Sequence, residues 1–161
     1  MYQPSEKAQQ IIEAISGFVR NEILPLEQQA GLSWAEPHPR AVLQQVWQRS
    51  CEQGFYNIML PEAIGGAGLS VSDLCAVKEA TVLTGSMLAP HILGELSGPP
   101  RVGHLFKVAS PFQVEAFLQP VCRAQKAVCF ALTESEAGSD ATAIKTSARR
   151  DGDDYILNGS K

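Results

Sequence analysis

The residues best suited to chemistry lie in a short polar stretch near the end of the chain. Thr133 follows a run of strand-forming residues and offers a hydroxyl and an amide at a strand end. Ala137-Gly138-Ser139 forms a compact turn whose amides and hydroxyl can face a phosphate. In the alternative interpretation, Thr133 and Ser139 only cap a strand and a turn, and Asp140 accepts turn amides.

Other candidate groups give no chemical signal. The four cysteines, at positions 51, 75, 122 and 129, form no C-x-x-C pair, and the three histidines have no zinc-binding spacing. We therefore expect no metal site, no catalytic residue among them, and four reduced, mostly buried thiols. Gly65-Gly66-Ala67-Gly68 follows no strand and precedes no Lys-Ser/Thr pair, so we expect a structural turn.

Helical periodicity dominates the first 126 residues. It predicts five helices in an N-terminal bundle, which start at Ser5, after Pro39, at Ser70, near Met87 and at Ser110. The first of them is expected to stop or kink at Pro25. Ser70 with Asp73, and Ser110 with Gln113, have the spacing of capping boxes. Val114, Phe117, Leu118 and Val121 are expected on one apolar face, and Ser97-Gly98-Pro99-Pro100 is expected to break the fourth helix.

The pattern changes at Ala127. Strands are predicted at 128–133, 144–150 and 154–157, with a hairpin turn at Asp151-Gly152-Asp153. Three strands do not make a stable sheet domain. The fold class is therefore mainly α: a helical domain at 1–126, followed by a truncated β-domain segment at 127–161.

Composition excludes several classes of protein. Thirteen basic and 17 acidic residues give a net charge of −4, without the clustered Lys and Arg of a nucleic-acid binder. No apolar run is long enough to span a membrane. The first residues show no secretory or transit pattern, which favours a cytoplasmic protein.

The stretch from Phe130 to Asp140, Phe-Ala-Leu-Thr-Glu-Ser-Glu-Ala-Gly-Ser-Asp, resembles the flavin-contacting signature of the acyl-CoA dehydrogenases. Residues 144–148 and 155–161 resemble the strands that follow it in that family. The loop at 61–68 and the helix at 113–120 resemble parts of its helical domain. The family's usual proline after Thr-Glu is Ser135 here, which loosens the turn.

This resemblance implies an FAD enzyme that removes hydrogens from Cα and Cβ of an acyl-CoA thioester and passes electrons to an electron-transfer flavoprotein. It implies a dimer or tetramer at full length. The implied cofactor contacts are Phe130, Ala131, Leu132, Thr133, Gly138 and Ser139, with Ser139 also near the CoA portion of the substrate. The family's catalytic glutamate has no counterpart in these residues.

Two other interpretations stay open. The same scaffold can serve as a non-catalytic helical interaction module, and the enzyme can be an acyl-CoA oxidase-like flavoenzyme. In either case we expect no activity from residues 1–161 alone, and weak or no FAD binding, because most of the cofactor site would lie outside them.

Overall fold

The computed structural model describes residues 2–161, which form two compact units that divide between Val128 and Cys129. The architecture is mainly α, as the sequence predicts. The α-helices are α1 (Glu6–Phe18), α2 (Leu24–Ala30), α3 (Arg40–Glu52), α4 (Val71–Leu83), α5 (Ala89–Ile92), α6 (Pro99–Val102), α7 (Pro111–Gln113) and α8 (Gln119–Cys122). π-Helical segments join α1 to α2 (Val19–Ile23) and α7 to α8 (Val114–Leu118), and 3₁₀ turns cover Glu62–Ile64, Leu105–Lys107 and Ala141–Ala143. The strands are β1 (Ser147–Asp151) and β2 (Asp154–Asn158).

The first helix does not stop at Pro25, so of the two outcomes that the sequence predicts there, a stop or a kink, the stop is wrong. It begins at the expected cap, where the Ser5 hydroxyl accepts a hydrogen bond from the Ala8 amide. It then runs through the π-helical segment into α2, where Pro25 occupies the first turn. A turn closed by i→i+5 bonds gives the proline ring room that a regular α-helix does not provide. The helix ends at Gly31, which adopts a φ of +60°.

The main hydrophobic core lies among α1, α2, α3, α4 and α5. Ile15 and Ile23 of the first helix, Val46 of α3 and Val77 of α4 are at most 1% exposed and share one cluster. Truncation of such a side chain to alanine costs about 2–5 kcal/mol. This cluster supplies the burial that holds the helices together.

Asp73 joins the N-termini of α1 and α4. Its own amide donates to the Ser70 hydroxyl, as the capping-box spacing predicts. Its carboxylate does not reach back to the Ser70 amide, however. It accepts instead from the Ser5 amide at 2.9 Å, the Ser5 hydroxyl at 2.9 Å, the Tyr2 hydroxyl and the Ser70 hydroxyl. The neighbouring helix offers more donors than the local amide, so this carboxylate links the N-cap residues of two helices.

The segment between α4 and α7 differs from the expected single short helix. α5 covers only four residues, and Pro99 starts the additional helix α6 where a break was predicted. Proline is tolerated at this first position because its missing N–H would have no helical partner. The buried Glu27 carboxylate accepts from the Leu88 amide at 3.0 Å and from the Ser86 hydroxyl, which fixes the turn before α5.

The last helix keeps its predicted cap but not its predicted face. Ser110 and Gln113 form a complete capping box. Leu118 and Val121 are buried, whereas Phe117 is 53% exposed. The wider π-helical turn at Val114–Leu118 changes the angular spacing of residues, so positions chosen at α-helical spacing do not share one face.

The second unit contains one hairpin rather than three strands. β1 and β2 pair antiparallel from Ser147↔Asn158 to Asp151↔Asp154, around the predicted turn in which Gly152 has a φ of +63°. The predicted strand at 128–133 is wrong. The Val128 amide donates to the carbonyl of Ser97 at 3.0 Å, and residues 129–133 have no ladder partner within residues 2–161.

Candidate functional site

The candidate site is built on a tight turn at residues 134–137. The Glu134 amide donates to the Ala137 carbonyl at 3.1 Å, and the Ala137 amide donates to the Glu134 carbonyl at 3.2 Å. The two residues therefore form an isolated antiparallel bridge. Thr133 enters this turn and Gly138 leaves it, so the bridge brings the two halves of the polar stretch together.

The Glu134 side chain fixes the turn to the rest of the second unit. One carboxylate oxygen accepts from the Lys145 amide at 2.8 Å, and the other accepts from the amide of Thr146 at 3.0 Å and from its hydroxyl. The Lys161 ammonium lies 2.9 Å from the second oxygen. The Glu134 side chain is only 9% exposed, so a single carboxylate organises three separate chain segments.

These donors all favour the ionised carboxylate. The amide of Lys145, the hydroxyl of Thr146 and the ammonium of Lys161 lower the pKa of Glu134 from 4.5 to about 2. Glu134 is therefore anionic throughout the neutral range. Lys161 also donates to the carbonyl of Leu132 at 2.9 Å, which extends the same network to the residue before Thr133.

Asp140 organises the other end of the stretch. Its carboxylate accepts from the amide of Thr142 at 3.1 Å and from the hydroxyl of the same residue. Hydrogen bonds from the Thr142 hydroxyl and amide lower the pKa of Asp140. Asp140 thus caps the 3₁₀ turn that follows it, in agreement with the structural role that its residue type allows.

The side chains named from the sequence remain at the surface of this unit. Phe130 is 73% exposed and Leu132 is 36% exposed, and Ala131, Thr133, Gly138 and Ser139 are exposed as well. Within residues 2–161, the hydroxyls of Thr133 and Ser139 form no hydrogen bond. A Cβ built on Gly138 would meet no atom within 4 Å. All six residues are therefore accessible to a ligand.

The residue types at this surface fit a flavin nucleotide. Phe130 and Leu132 supply apolar area for a ring, and the open backbone at Gly138 allows close approach of a phosphate-bearing ligand. Thr133 and Ser139 add hydroxyls with unused hydrogen-bonding capacity. In flavoenzymes the protein supplies this orientation and electrostatic setting, and the cofactor supplies the redox chemistry.

Residue spacing does not predict the contacts that hold the turn in place. These contacts join Glu134, Lys145, Thr146 and Lys161, which lie within the segments that resemble the family. A Glu beside the turn was the one local signal. Its partners lie 11 to 27 residues further along the chain, and spacing alone does not reveal such contacts.

Other parts of the chain offer less. Across residues 2–161, no group of three or more His, Cys, Asp or Glu side chains is arranged to hold a metal ion, and no helix combines the length and apolar character of a membrane span.

The expectation of mostly buried cysteines is wrong. Cys75 and Cys129 are exposed, and Cys51 and Cys122 are partly buried.

Comparison with known families agrees with this architecture. Residues 5–125 match the acyl-CoA dehydrogenase N-terminal domain, and residues 129–161 match the acyl-CoA dehydrogenase middle domain. The chain belongs to the acyl-CoA dehydrogenase family.

Individual relatives match most of the chain. A 3-(aryl)acrylate reductase of Clostridium sporogenes is 32% identical and the acyl-CoA dehydrogenase FadE12 of Mycobacterium tuberculosis is 30% identical, each over 98% of this chain. Subunit CarC of the caffeyl-CoA reductase-Etf complex of Acetobacterium woodii is 32% identical over 73% of it. A solved structure from Mycobacterium abscessus, assigned to the acyl-CoA dehydrogenases, superposes with a TM-score of 0.77 at 26% identity, covering 98% of this chain and 42% of that one.

The match covers only part of each relative. The chain spans 40% of the length of the Clostridium enzyme, 38% of FadE12 and 31% of CarC.

Proposed function

We propose that this chain provides the helical N-terminal domain and the first part of the middle domain of an FAD-dependent acyl-CoA dehydrogenase. The reaction is α,β-dehydrogenation of an acyl-CoA thioester, with an acyl-CoA oxidase-like reaction as the alternative within the same class. Family membership supports the general activity. The boundary between the two domains is proposed at residues 126–127.

One observation carries the proposal at the level of the site. Glu134 holds the turn rigidly through four donors, yet the residues on either side of the turn remain exposed. Phe130, which is 73% exposed, lies on one side of this turn and Ser139 lies on the other. A preorganised frame beside accessible apolar and hydroxyl groups is what binding of a rigid cofactor requires.

We assign distinct tasks to the exposed groups. Phe130, Ala131 and Leu132 bound the flavin ring, the hydroxyl and amide of Thr133 bind its polar edge, and Gly138 with Ser139 approach the pyrophosphate. Ser139 also lies near the CoA portion of the substrate. Bound FAD supplies the hydride acceptor. No residue of this chain is assigned as the base that removes the α proton, so residues 1–161 are expected to be inactive alone.

The proposed electron acceptor is an electron-transfer flavoprotein. The name of CarC places that relative in an Etf complex, which supports such a partner. The proposed substrate is an acyl-CoA thioester, and the proposed metabolic role is in fatty acid metabolism. A dimer or tetramer of the full-length enzyme and a cytoplasmic location stay predictions from the sequence.

An FAD titration tests the proposal. We expect FAD not to co-purify with the chain, because most of the cofactor site would lie outside it, and to bind weakly when added. Thr133→Val keeps the shape of the side chain and removes the hydroxyl, so it should weaken binding about 5-fold if one hydrogen bond of about 1 kcal/mol is lost. Quenching of flavin fluorescence measures the affinity.

Ser135→Ala is the matched control for this titration. Ser135 lies in the same turn and is exposed, but it is not an assigned contact. Its substitution should leave the affinity unchanged. Equal affinities for the chain and all its variants would contradict the site assignment, and stoichiometric co-purified flavin would contradict the expectation of weak binding.

A second candidate function is a non-catalytic helical interaction module. It is favoured by apolar side chains around a groove of about 420 Å³, where Val108 is 81% exposed and Phe117 is 53% exposed. Exposed apolar patches are typical of interaction sites. The double substitution Val108→Ser/Phe117→Ser tests this function. It would be preferred if the variant lost association with a partner protein and if FAD had no effect on residues 130–139.

A further inference from the structure

Two cysteines from distant parts of the helical unit lie side by side. Cys51 is near the end of α3, and Cys122 is the last residue of α8, 71 positions later. The sulfur of Cys51 lies 3.4 Å from the backbone carbonyl oxygen of Cys122. Because this oxygen belongs to Cys122 itself, the sulfur of Cys51 lies against the backbone of the other cysteine.

The surroundings fix the two backbones at this point. The side-chain amide of Asn57 donates to the same carbonyl of Cys122 at 2.6 Å. Tyr56, the preceding residue, is fully buried. The segment that follows α3 is therefore held against the end of α8.

Burial raises the pKa of both thiols. Burial raises the pKa of Cys51, with a further contribution from Glu52. Burial also raises the pKa of Cys122, and the neighbouring Cys51 raises it further.

We propose that Cys51 and Cys122 form an intramolecular disulfide when the protein meets a low-molecular-weight disulfide such as oxidised glutathione. One thiolate attacks the glutathione disulfide, giving a mixed disulfide and one glutathione thiol. The second thiolate then attacks the protein sulfur of the mixed disulfide and releases the second glutathione. The two protein thiols are oxidised by two electrons in total, and both electrons and both protons end on the two glutathione molecules.

The arrangement makes the bond slow to form and stabilising once formed. Thiolates are the reacting species, so raised pKa values slow the reaction at neutral pH and make it faster in alkaline solution. The bond would close a loop of about 70 residues, which restricts the unfolded chain strongly. The site is partly buried rather than sealed, so a small disulfide has access to it.

The test uses the whole chain with its two exposed cysteines removed. In the Cys75→Ser/Cys129→Ser background, incubation with oxidised glutathione at pH 8–9, followed by intact-mass and peptide mass spectrometry, should show a monomer that has lost two hydrogen atoms and carries a 51–122 cross-link. Its Tm should rise by roughly 10 °C and return to the starting value with reductant. Further substitution Cys51→Ser should leave a single stable glutathione adduct on Cys122.

Several outcomes would overturn the proposal. Two persistent glutathione adducts, unmodified thiols, or disulfide-linked dimers would each show that the sulfurs do not meet within one folded chain. The same peptide analysis on the unsubstituted protein is the control for a variant that fails to fold. The cross-linked 51–122 peptide must also appear in the unsubstituted protein, and its absence would also refute the proposal.

Discussion

The ammonium of Lys161 lies 2.9 Å from the carboxylate of Glu134 and also donates to the carbonyl of Leu132. The Glu134 carboxylate at the same time binds the backbone of Lys145 and Thr146. The exposed stretch proposed to contact a flavin is thus held in place by charged and polar contacts rather than by a hydrophobic core. Its geometry should therefore respond to charge and to pH.

Acid should release this turn. The pKa of Glu134 is lowered from 4.5 to about 2, so its ionised form is favoured by folding. The stabilisation is complete above about pH 4.5 and is lost as the pH falls toward 2. Hydrogen exchange at the amides of Lys145 and Thr146, measured against the intrinsic exchange rate at each pH, should lose protection across this interval.

Glu134→Gln should reproduce this loss at neutral pH. The amide keeps the size of the side chain but has only one acceptor oxygen and no charge, so protection of Lys145 and Thr146 should fall severalfold. Glu136→Gln is the matched control. Its ion pair with Lys145 is about 70% exposed on both sides and contributes little. Equal loss of protection in both variants would contradict the central position given to Glu134.

The shared cap at Asp73 should couple two helices. Ser5→Ala and Ser70→Ala each remove an N-cap and should each lower the free energy of unfolding by about 1 kcal/mol. Both serines also donate to Asp73, so the double substitution should deviate from additivity by about 0.5 kcal/mol or more. Urea unfolding measures all three values. Ser72→Ala, at an exposed position in the first turn of α4, should change little, and strict additivity would contradict the shared cap.

His91 should make the helical unit sensitive to mild acid. Burial lowers the pKa of His91, with a further contribution from His38. The unfolded chain then binds this proton more readily than the folded one, so stability should fall as the pH drops below about 6.5. His91→Gln should flatten that dependence in urea unfolding between pH 7 and 5. His104→Gln, which replaces an exposed residue, should not flatten the pH dependence of stability.

The loop before α4 should depend on one glycine. A Cβ at Gly66 would lie 1.7 Å from the carbonyl oxygen of Leu60, so the backbone must move. We expect Gly66→Ala to lower the free energy of unfolding by about 1–3 kcal/mol or more, as overpacking does. Gly138→Ala is the control, because nothing lies within 4 Å of its added methyl group. Thermal unfolding distinguishes the two, and similar Tm values would contradict the close contact.

Local signals in the sequence predicted much of this structure. The Ser110–Gln113 capping box and the hairpin turn at Gly152 are set by residues within four positions, and both are present. The course of the helix through Pro25 and the exposure of Phe117 were missed because π-helical turns leave no clear pattern in residue spacing. The contacts of Glu134 were missed because its partners are brought to it by folding.

The most direct test of the proposed flavin site is an amide chemical-shift titration of the chain with FAD. Weak binding suffices for this measurement, since it reports which residues sense the ligand. The shifts should concentrate at Phe130–Thr133 and at Gly138 and Ser139, and Gly138→Ala should reduce them without loss of folding. Shifts centred on the helical unit, with none at these residues, would contradict the account.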